Sequence, residues 1–574
     1  MKNIGAIIRF VVGVGGKMLE LINRKIKVII FLWLTNSSTA LCYFVPPVND
    51  YFYSIVRFVG YEALVCAWCI FVVLLVSFVG KRYKKIAQLL LYLLMLCSFV
   101  LFLTDIILLV NFKSIFDQAK IEILLGTNPS TACEFLELYL LSTRSLIYGT
   151  IITMFGVIAY KVIRMNNVHA GLSYFMVALG AIGGIVFFFN VYRTGLFGLL
   201  EKNIYRGLLI NRVCMDTCAA ISSLGDADRI TLSFDNSEEK IIENDSDSLN
   251  VIFVLGESVD RNKMSAYGYY LNNTPFLTSW VDDKEAYLFS DTIAPANYTT
   301  KAMELIFTFT DKNAQGKWYD NANIIDVAKK AGFYTAWISN QSPVGKYGNM
   351  DRILANRCDY YAFTSVEGGG TGSLTRPLDE EVLPLLDKVK SSDSNKNFYV
   401  IHLEGSHEVF SMRYPAKFDV FNENDEKTDN VKWNKYRAEY ANTVLYTDYV
   451  LNEIITRFKN DNAVVVYISD HGNDVYDEGE NFVGHSGENE RSPHMVEVPM
   501  FIWGSQKYWS THQSMRDSII AAVNKPFMTD DMIYLFEDIM QIKSSSYKPE
   551  HSVVNSLFVP KRRIYGGIDY IKND

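Results

Sequence analysis

Residues 464–472, VVVYISDHG, run five apolar residues straight into an acid, an imidazole and a glycine. A short, continuous, β-branched run is the pattern of a strand buried on both faces of a sheet, and the polar residues after it mark its end. The same arrangement recurs along the second half of the chain. Residues 251–255 (VIFVL) lead into Gly256-Glu257-Ser258, and 398–403 (FYVIHL) lead into Glu404-Gly405-Ser406-His407. Residues 334–338 (YTAWI) lead into Ser339-Asn340-Gln341, with Lys346 shortly beyond, and one more run lies at 498–503 (VPMFIW). Helical patterns fill some gaps, at 322–331 and 440–458. Buried strands alternating with helices predict an α/β fold with a mostly parallel sheet, whose ligands sit beyond the carboxyl ends of the strands.

Carboxylates and imidazoles gather at that edge. Glu257, Asp470 and His471 offer carboxylate oxygens and a ring nitrogen, a donor set that suits Zn²⁺ without any thiolate. Taken singly, each is also what a turn-capping carboxylate or a surface histidine looks like. Three of them at strand ends make a metal centre the better reading. His485 and His494 follow in a polar loop before the last strand, as supporting or substrate ligands or as plain surface residues. A hydroxyl nucleophile is on offer at Asn297-Tyr298-Thr299-Thr300, ahead of the apolar helical stretch 302–309. Asn297 is the expected N-cap, which puts Thr299 in the first turn, where backbone N–H groups favour negative charge. A threonine hydroxyl attacks only when a metal or base relieves it of its proton.

The first half of the chain is of another kind. The 574 residues are 49% hydrophobic and 14% aromatic, which excludes a disordered or low-complexity chain. Residues 1–190 hold 16 Lys and Arg against 8 Asp and Glu; the chain totals of 55 and 63 leave 39 basic and 55 acidic residues for the rest. An acidic soluble half repels phosphates, so nucleic acid is no partner. Five apolar runs, 28–44, 63–79, 86–110, 146–160 and 172–189, approach the ~20 residues of a membrane span. Positive charge clusters in alternate connections: the N-terminal segment, Lys81-Arg82-Tyr83-Lys84-Lys85, and Lys161 with Arg164. That bias puts the N-terminus in the cytoplasm and everything after Phe189 outside. Residues 1–25 do not read as a cleaved signal, since Arg9 breaks their short apolar stretch. Asp105, inside the third run, faces either a headgroup cavity or interfacial water. Cys214, Cys218 and Cys358 are the only cysteines of the outer part, which allows at most one intrachain disulfide there. Residues 235–248 (DNSEEKIIENDSDS) read as a linker and the glycine-rich 367–372 as a mobile loop. The expected divisions are a transmembrane domain at 1–192, a linker with juxtamembrane helices at 193–249, and a catalytic domain at 250–574.

With these pieces assembled, the sequence resembles the bacterial phosphoethanolamine transferases, whose catalytic domain has the sulfatase/alkaline-phosphatase-like fold. The resemblance rests on the five spans and on GES at 256–258, HLEGSHEVFSMRYP at 402–415, YANTVLYTDYVL at 440–451, YISDHG at 467–472 and GHSGENERSPHMVEVPMFIW at 484–503. It implies a zinc site of Glu257, Thr299, Asp470 and His471. His407 and His485 match positions that bind the transferred phosphoryl group or a second zinc, and either could serve as general acid. Lys346 and Asn128 match substrate-binding positions, Asn128 lying in an outer loop, 126–136 (GTNPSTACEFL), that resembles a donor-headgroup loop. Thr299 fits the family spacing, with Thr300 the alternative. Three departures stand out: Asn473 replaces the usual acid after DHG, Thr131 stands where an acid is common, and the disulfides of the lipid A-modifying branch cannot form with these cysteines. The run at 470–486 resembles the branch that modifies lipopolysaccharide core sugars.

The resemblance thus implies a multi-pass protein of the bacterial inner membrane with a periplasmic catalytic domain. It would move phosphoethanolamine from phosphatidylethanolamine to lipopolysaccharide, at a core sugar or lipid A, or to another envelope glycan. The alternatives are a phosphoglycerol transferase of the lipoteichoic-acid type and a membrane-anchored binding protein that has lost the chemistry. A sulfatase activity is disfavoured, because Thr299 has no Cys/Ser-x-Pro-x-Arg surroundings.

Overall fold

The structure is a computed structural model that describes residues 2–37, 51–112, 115–126, 149–150, 153, 170–201, 209–313, 315–343, 349–364, 377–390, 394–428, 430–477, 483–485, 492–565 and 568–570. It divides into two compact units, the first within Met1–Ser222 and the second from Ser223 onward. Lys346, Asn128, Thr131 and the glycine-rich stretch 367–372 lie outside the described residues.

The first unit is built from long helices: α1 (Lys2–Asn36), α2 (Tyr51–Val79), α3 (Lys84–Phe112) and α4 (Ala170–Glu201). The chain passes from one unit to the other within α5 (Leu209–Asp235). Phe58–Val79 and Lys84–Leu108 are long and apolar enough to cross a membrane, and Gly171–Phe187 is a shorter apolar helix. Large side chains such as Phe78, Tyr92 and Ile185 point outward from these helices, 68–70% exposed, so the outer surface is as apolar as the inner one. The expected run 28–44 is helical through Asn36, whereas 146–160 falls almost wholly outside the described residues. Asp105 is fully buried: both of its oxygens accept from Arg212 Nη2 at 2.8 Å, and Oδ1 also accepts from Phe116 N at 2.9 Å. It is therefore held by a cation from α5, which replaces both the headgroup cavity and the interfacial water expected from the sequence.

In the second unit, period-two alternation sets the architecture. Along β1 (Leu249–Gly256), Val251, Phe253 and Leu255 join the core on one face, while Ile252 and Val254 join the core on the other. The remaining strands of its sheet are β2 (Ala286–Leu288), β3 (Tyr334–Ser339), β4 (Tyr360–Phe363), β5 (Lys396–His402), β6 (Ala463–Ser469) and β9 (Met500–Gly504). The order is β2-β9-β6-β1-β5-β3-β4. The pairs β6/β1, β1/β5, β5/β3 and β3/β4 are parallel; β9 runs antiparallel to both β6 and β2. The sheet is mixed, with its parallel strands at the centre, as expected. The short strands β2 and β4 were not foreseen. They sit at the edges, where a strand needs no long apolar run.

Three further elements position the site. Helix α6 (Thr299–Ile306) buries Ala302, Met303 and Ile306 against one face of the sheet. Helix α7 (Val431–Thr456) starts nine residues before the expected one, because the Asn430 side chain accepts from the Lys432 and Trp433 amides and caps it there. A ribbon of β7 (Asp474–Val475) and β8 (Val483–Gly484) follows β6. The 235–248 stretch is only partly a linker: Ile241–Asn244 pairs antiparallel with Ile542–Ser544, and Glu239 accepts from Ser546 N and from the Ser545 and Ser546 hydroxyls.

Helices α2 and α4 meet through small residues. A Cβ at Gly183 would lie 2.1 Å from the Ala63 carbonyl oxygen, and Ala67 flanks the same crossing. Such backbone approach is the usual means of packing apolar helices that gain nothing from leaving water. Gly183→Ala must push the helices apart and is expected to destabilise the protein by about 1–3 kcal/mol. Gly184→Ala, with nothing within 4 Å of its Cβ, should leave stability unchanged. Thermal unfolding of the detergent-purified variants checks both.

Candidate active site

Strand ends deliver the acids. Gly256 closes β1 and Ser469 closes β6 in register, so Glu257 and Asp470 emerge side by side. The turn after β1 is tight enough to hold Ser258 at φ 60°, in the left-handed region. It is tied down from both sides: Ser258 N donates to Asp470 Oδ1 (3.1 Å), and Tyr440 of α7 donates to the Ser258 carbonyl while accepting from Asp260 N, both at 2.8 Å. Glycine is obligatory at two nearby points. Gly405, at φ 50°, would bring a Cβ to 2.7 Å from the Glu257 carbonyl, and a Cβ at Gly472 would lie 2.0 Å from the His494 carbonyl.

The groups so placed converge. Thr299 Oγ1 donates to Glu257 Oε2 at 3.0 Å and lies 3.3 Å from His471 Nε2. His471 Nε2 is also 3.2 Å from Glu257 Oε1 and 3.4 Å from Asp470 Oδ2. Thr300, next on the helix, makes neither of the Thr299 contacts. His471 Nδ1 sits 2.8 Å from the Gly472 carbonyl, which can only accept, so Nδ1 carries a proton and Nε2, in the neutral ring that a cation would bind, turns its lone pair inward. Asp470 Oδ2 is buried with no hydrogen-bond partner. Carboxylate oxygens, an imidazole lone pair and a hydroxyl oxygen therefore face one another in a fully buried place, an arrangement that a divalent cation satisfies and that repels itself without one. The protonation balance carries the same message. Burial and the Glu257 charge push the Asp470 carboxyl up to about 7. Burial opposes charge on His471, yet Asp470 and Glu257 lift it to about 9. Burial opposes charge on Glu257 too, but the His471 imidazole holds its carboxyl well below the usual range.

Two more imidazoles border this centre. The His485 ring lies 4.2 Å from that of His471, and a ring nitrogen of His485 shares with Glu257 and His471 a cluster of ligand atoms within 4.8 Å of one another. His485 Nδ1 donates to the Asn297 carbonyl at 2.9 Å, leaving Nε2 as the acceptor. Burial, aided by the His471 charge, pushes His485 down to about 4. His407 is arranged the other way. Arg413 Nη2, which can only donate, stands 3.2 Å from His407 Nδ1, and the Glu408 carbonyl lies at 3.4 Å from the same atom; the shorter contact favours a proton on Nε2 in the neutral ring. Arg413 also donates to the His407 carbonyl (3.0 Å) and pairs with Glu404 at 2.7 Å.

Several sequence expectations change here. Asn297 does not cap α6: Tyr298 takes that position without a side-chain bond, and Thr299 is the first helical residue. Asn297 is instead fully buried, its carbonyl engaged by His485. His494 is no surface residue, since its Nδ1 lies 2.7 Å from the buried Asp260. The sequence reading missed Gln341 as a contact of Glu257 Oε2 (3.4 Å) and Ser258 Oγ as a donor to Oε1 (2.7 Å). It also missed Asp379, whose carboxylate accepts from Glu404 N (2.8 Å) and Gly405 N (2.9 Å) and shapes the loop before His407. Asp379 lies 25 residues upstream of that loop, in a sequence stretch that carries no motif.

Comparison with known proteins fits this construction. The chain is 27% identical over 337 residues to the phosphoethanolamine transferase EptC of Escherichia coli K12, which covers 58% of this chain and 57% of that protein. It is also 27% identical over 336 residues to the phosphoethanolamine transferase CptA of Salmonella typhimurium, covering 56% of each. The chain thus matches little more than half the length of these curated relatives. The crystal structure of the C-terminal periplasmic domain of E. coli EptC, in complex with Zn, superposes with a TM-score of 0.51 at 26% identity, covering 57% of this chain and 91% of that one. The sulfatase family model matches residues 249–542, just over half of the 574 residues, and the chain belongs to the sulfatase family.

Proposed function

We propose that the protein is a zinc-dependent phosphoethanolamine transferase, anchored by five spans in a bacterial inner membrane with residues 250–574 in the periplasm, residues 1–192 forming the membrane domain and 193–249 the connection. Its donor is phosphatidylethanolamine and its acceptor is lipopolysaccharide or another envelope glycan. The observation that carries this reading is the Thr299 hydroxyl, bonded to Glu257 and facing the His471 lone pair at the carboxyl edge of the sheet. The relatives named phosphoethanolamine transferases and the zinc complex of the E. coli EptC domain support the same choice.

The donor set fits zinc: Glu257, Thr299, Asp470 and His471 present oxygen and nitrogen acceptors, with Asp470 Oδ2 buried and without a hydrogen bond. Bound there, the ion supplies Lewis acidity that eases deprotonation of a hydroxyl and offsets charge on the attacked phosphoryl group. The chain does the rest. Glu257 Oε2, 3.0 Å from Thr299 Oγ1, accepts the hydroxyl proton as Oγ1 bonds to phosphorus. The bond from phosphorus to the diacylglycerol oxygen breaks, and His407 Nε2–H, held in that tautomer by Arg413, protonates the departing alkoxide. The ethanolamine phosphate now rests on Thr299. His485 Nε2, kept proton-free by the Nδ1 bond to Asn297, takes the proton of the incoming acceptor hydroxyl and passes it to solvent; the phosphorus–Thr299 bond breaks as Glu257 returns its proton to Thr299 Oγ1, and His407 regains a proton from solvent. Lys346 and Asn128 retain their proposed part in binding substrate.

Three outcomes test this. Thr299→Ala should lose turnover by roughly 10³-fold or more, as for other enzymes stripped of a nucleophile, with no phosphoethanolamine adduct on peptides spanning 299–300 by mass spectrometry. An adduct on Thr300, or normal turnover, would overturn the assignment. The two histidines should separate by step: His407→Gln slows release of diacylglycerol, whereas His485→Gln releases it normally but accumulates the adduct. Chelation should abolish both steps and lower the thermal midpoint, with zinc restoring each; Asp470→Asn should bind no zinc by elemental analysis yet remain folded.

A further inference from the structure

The ribbon that leaves the active site carries a second feature. His471 precedes β7 and His485 follows β8, so both imidazoles belong to one end of the ribbon, and Tyr476, just past Val475, belongs to the other. Tyr476 has φ 59°, a left-handed conformation that a tyrosine adopts only where its surroundings impose it, and such strain gathers at ligand-binding positions. Its ring stacks on Trp433 at 5.2 Å with 9° between the planes, and Tyr436 meets it edge-on at 6.0 Å. Trp433 and Tyr436 stand on the first turns of α7, and Tyr436 is 38% exposed. Beside them Tyr269 and Tyr270 pack together at 4.5 Å, with the Lys427 ammonium 4.0 Å above the Tyr270 ring.

These rings rest on a buried spine of charge. Arg437 reaches Glu426 and Asp477, each at 3.0 Å; Asp477 also binds Lys263, and Glu426 accepts from the Tyr269 hydroxyl at 2.8 Å. Every charge in the spine is paired within it, so it braces the rings and does not itself call for a ligand. The rings are different: they are partly exposed, and an exposed cluster of aromatic rings is a candidate binding surface.

We propose that Trp433, Tyr436 and Tyr476 form a shelf on which a sugar ring of the glycan acceptor stacks; the inference rests on the transferase reading and names how the acceptor is held. A pyranose offers one flat C–H face and a rim of hydroxyls, which asks for an aromatic face bordered by amides and charges. The charges here are the Lys427 ammonium over Tyr270 and the exposed Lys432 and Lys435, on either side of Trp433 in sequence. A bilayer surface fits less well. Residues 419–439 hold six acids against four bases, and the indole and phenol lie face to face instead of projecting singly toward a membrane.

The test uses the full-length, zinc-loaded protein in nanodiscs, with Trp433→Ala and Tyr476→Gly; the glycine keeps the left-handed φ while deleting the ring. The probe is the lipid-free oligosaccharide released from lipopolysaccharide by mild acid. Saturation-transfer NMR should show contact of this oligosaccharide with the wild type and loss of it in both variants. With lipopolysaccharide as acceptor, KM should rise about tenfold, the scale of one lost stacking contact, while kcat and adduct formation from phosphatidylethanolamine stay as in the wild type. Unchanged acceptor KM and unchanged oligosaccharide contact would overturn the shelf, as would variants that lose only binding to anionic phospholipid vesicles. If the wild type itself forms no adduct, the transferase reading fails, and the NMR contact still decides the shelf.

Discussion

Everything at the working end of the second unit answers one electrostatic problem. Glu257, Asp470, the inward lone pair of His471 and the Thr299 oxygen occupy the same buried space, where unpaired carboxylates are costly. Lifting Asp470 to about 7 and His471 to about 9 is the protein's own partial remedy, neutralising one acid and protonating the base. A dication is the full one. Because the groups repel, the backbone must hold them. That is why Tyr440 clamps the turn after β1, Asp379 gathers the Glu404 and Gly405 amides, and no Cβ is tolerated at Gly405 or Gly472.

The surrounding imidazoles show how hydrogen bonds assign chemistry without moving a residue. His471, His485 and His407 differ in what sits nearest Nδ1: a carbonyl for the first two, and for the third a guanidinium at 3.2 Å ahead of a carbonyl at 3.4 Å. A carbonyl fixes the proton on Nδ1 and frees Nε2 to accept; a guanidinium does the reverse. On the proposed reading, one histidine is thereby suited to be a ligand or base and another an acid. The proposed double displacement needs acid and base at different steps, and two fixed tautomers would meet that need without a shared proton having to relocate.

Much of this was legible from the sequence, for a physical reason. Strands buried on both faces must be apolar throughout, so β1, β3, β5, β6 and β9 declared themselves, and the polar residues at their ends named Glu257, Asp470 and His471. The edge strands Ala286–Leu288 and Tyr360–Phe363 carry no such constraint and stayed hidden. So did Ile241–Asn244, a polar strand whose partner lies some 300 residues on. The reading of Asn297 as a cap followed local propensity, but its burial and its carbonyl bond to His485 are tertiary facts. The same holds for His494 and Asp379, whose partners no local pattern announces. In the helical first unit, hydropathy marks long apolar helices but not their pairing. Nothing in the apolar run around Asp105 names Arg212, which lies 107 residues away.

On the proposed reading, the protein must also make its acceptor outcompete water. Once a phosphoryl group rests on Thr299, water can attack as readily as a sugar hydroxyl unless the sugar is already seated. Catalytic groups cannot supply that bias, because His485 would deprotonate either nucleophile. Binding energy realised away from the reacting atoms can, by raising the local concentration of the acceptor and fixing its approach. The ribbon β7–β8 allows this division of labour, since the imidazoles that act belong to one end and the strained Tyr476 with its stacked Trp433 belongs to the other. Holding the left-handed tyrosine costs stability, and the buried Arg437, Asp477 and Lys263 beneath it supply the rigidity that keeps it in place. Discrimination between transfer and hydrolysis would then be a property of this proposed shelf and not of the proposed metal centre.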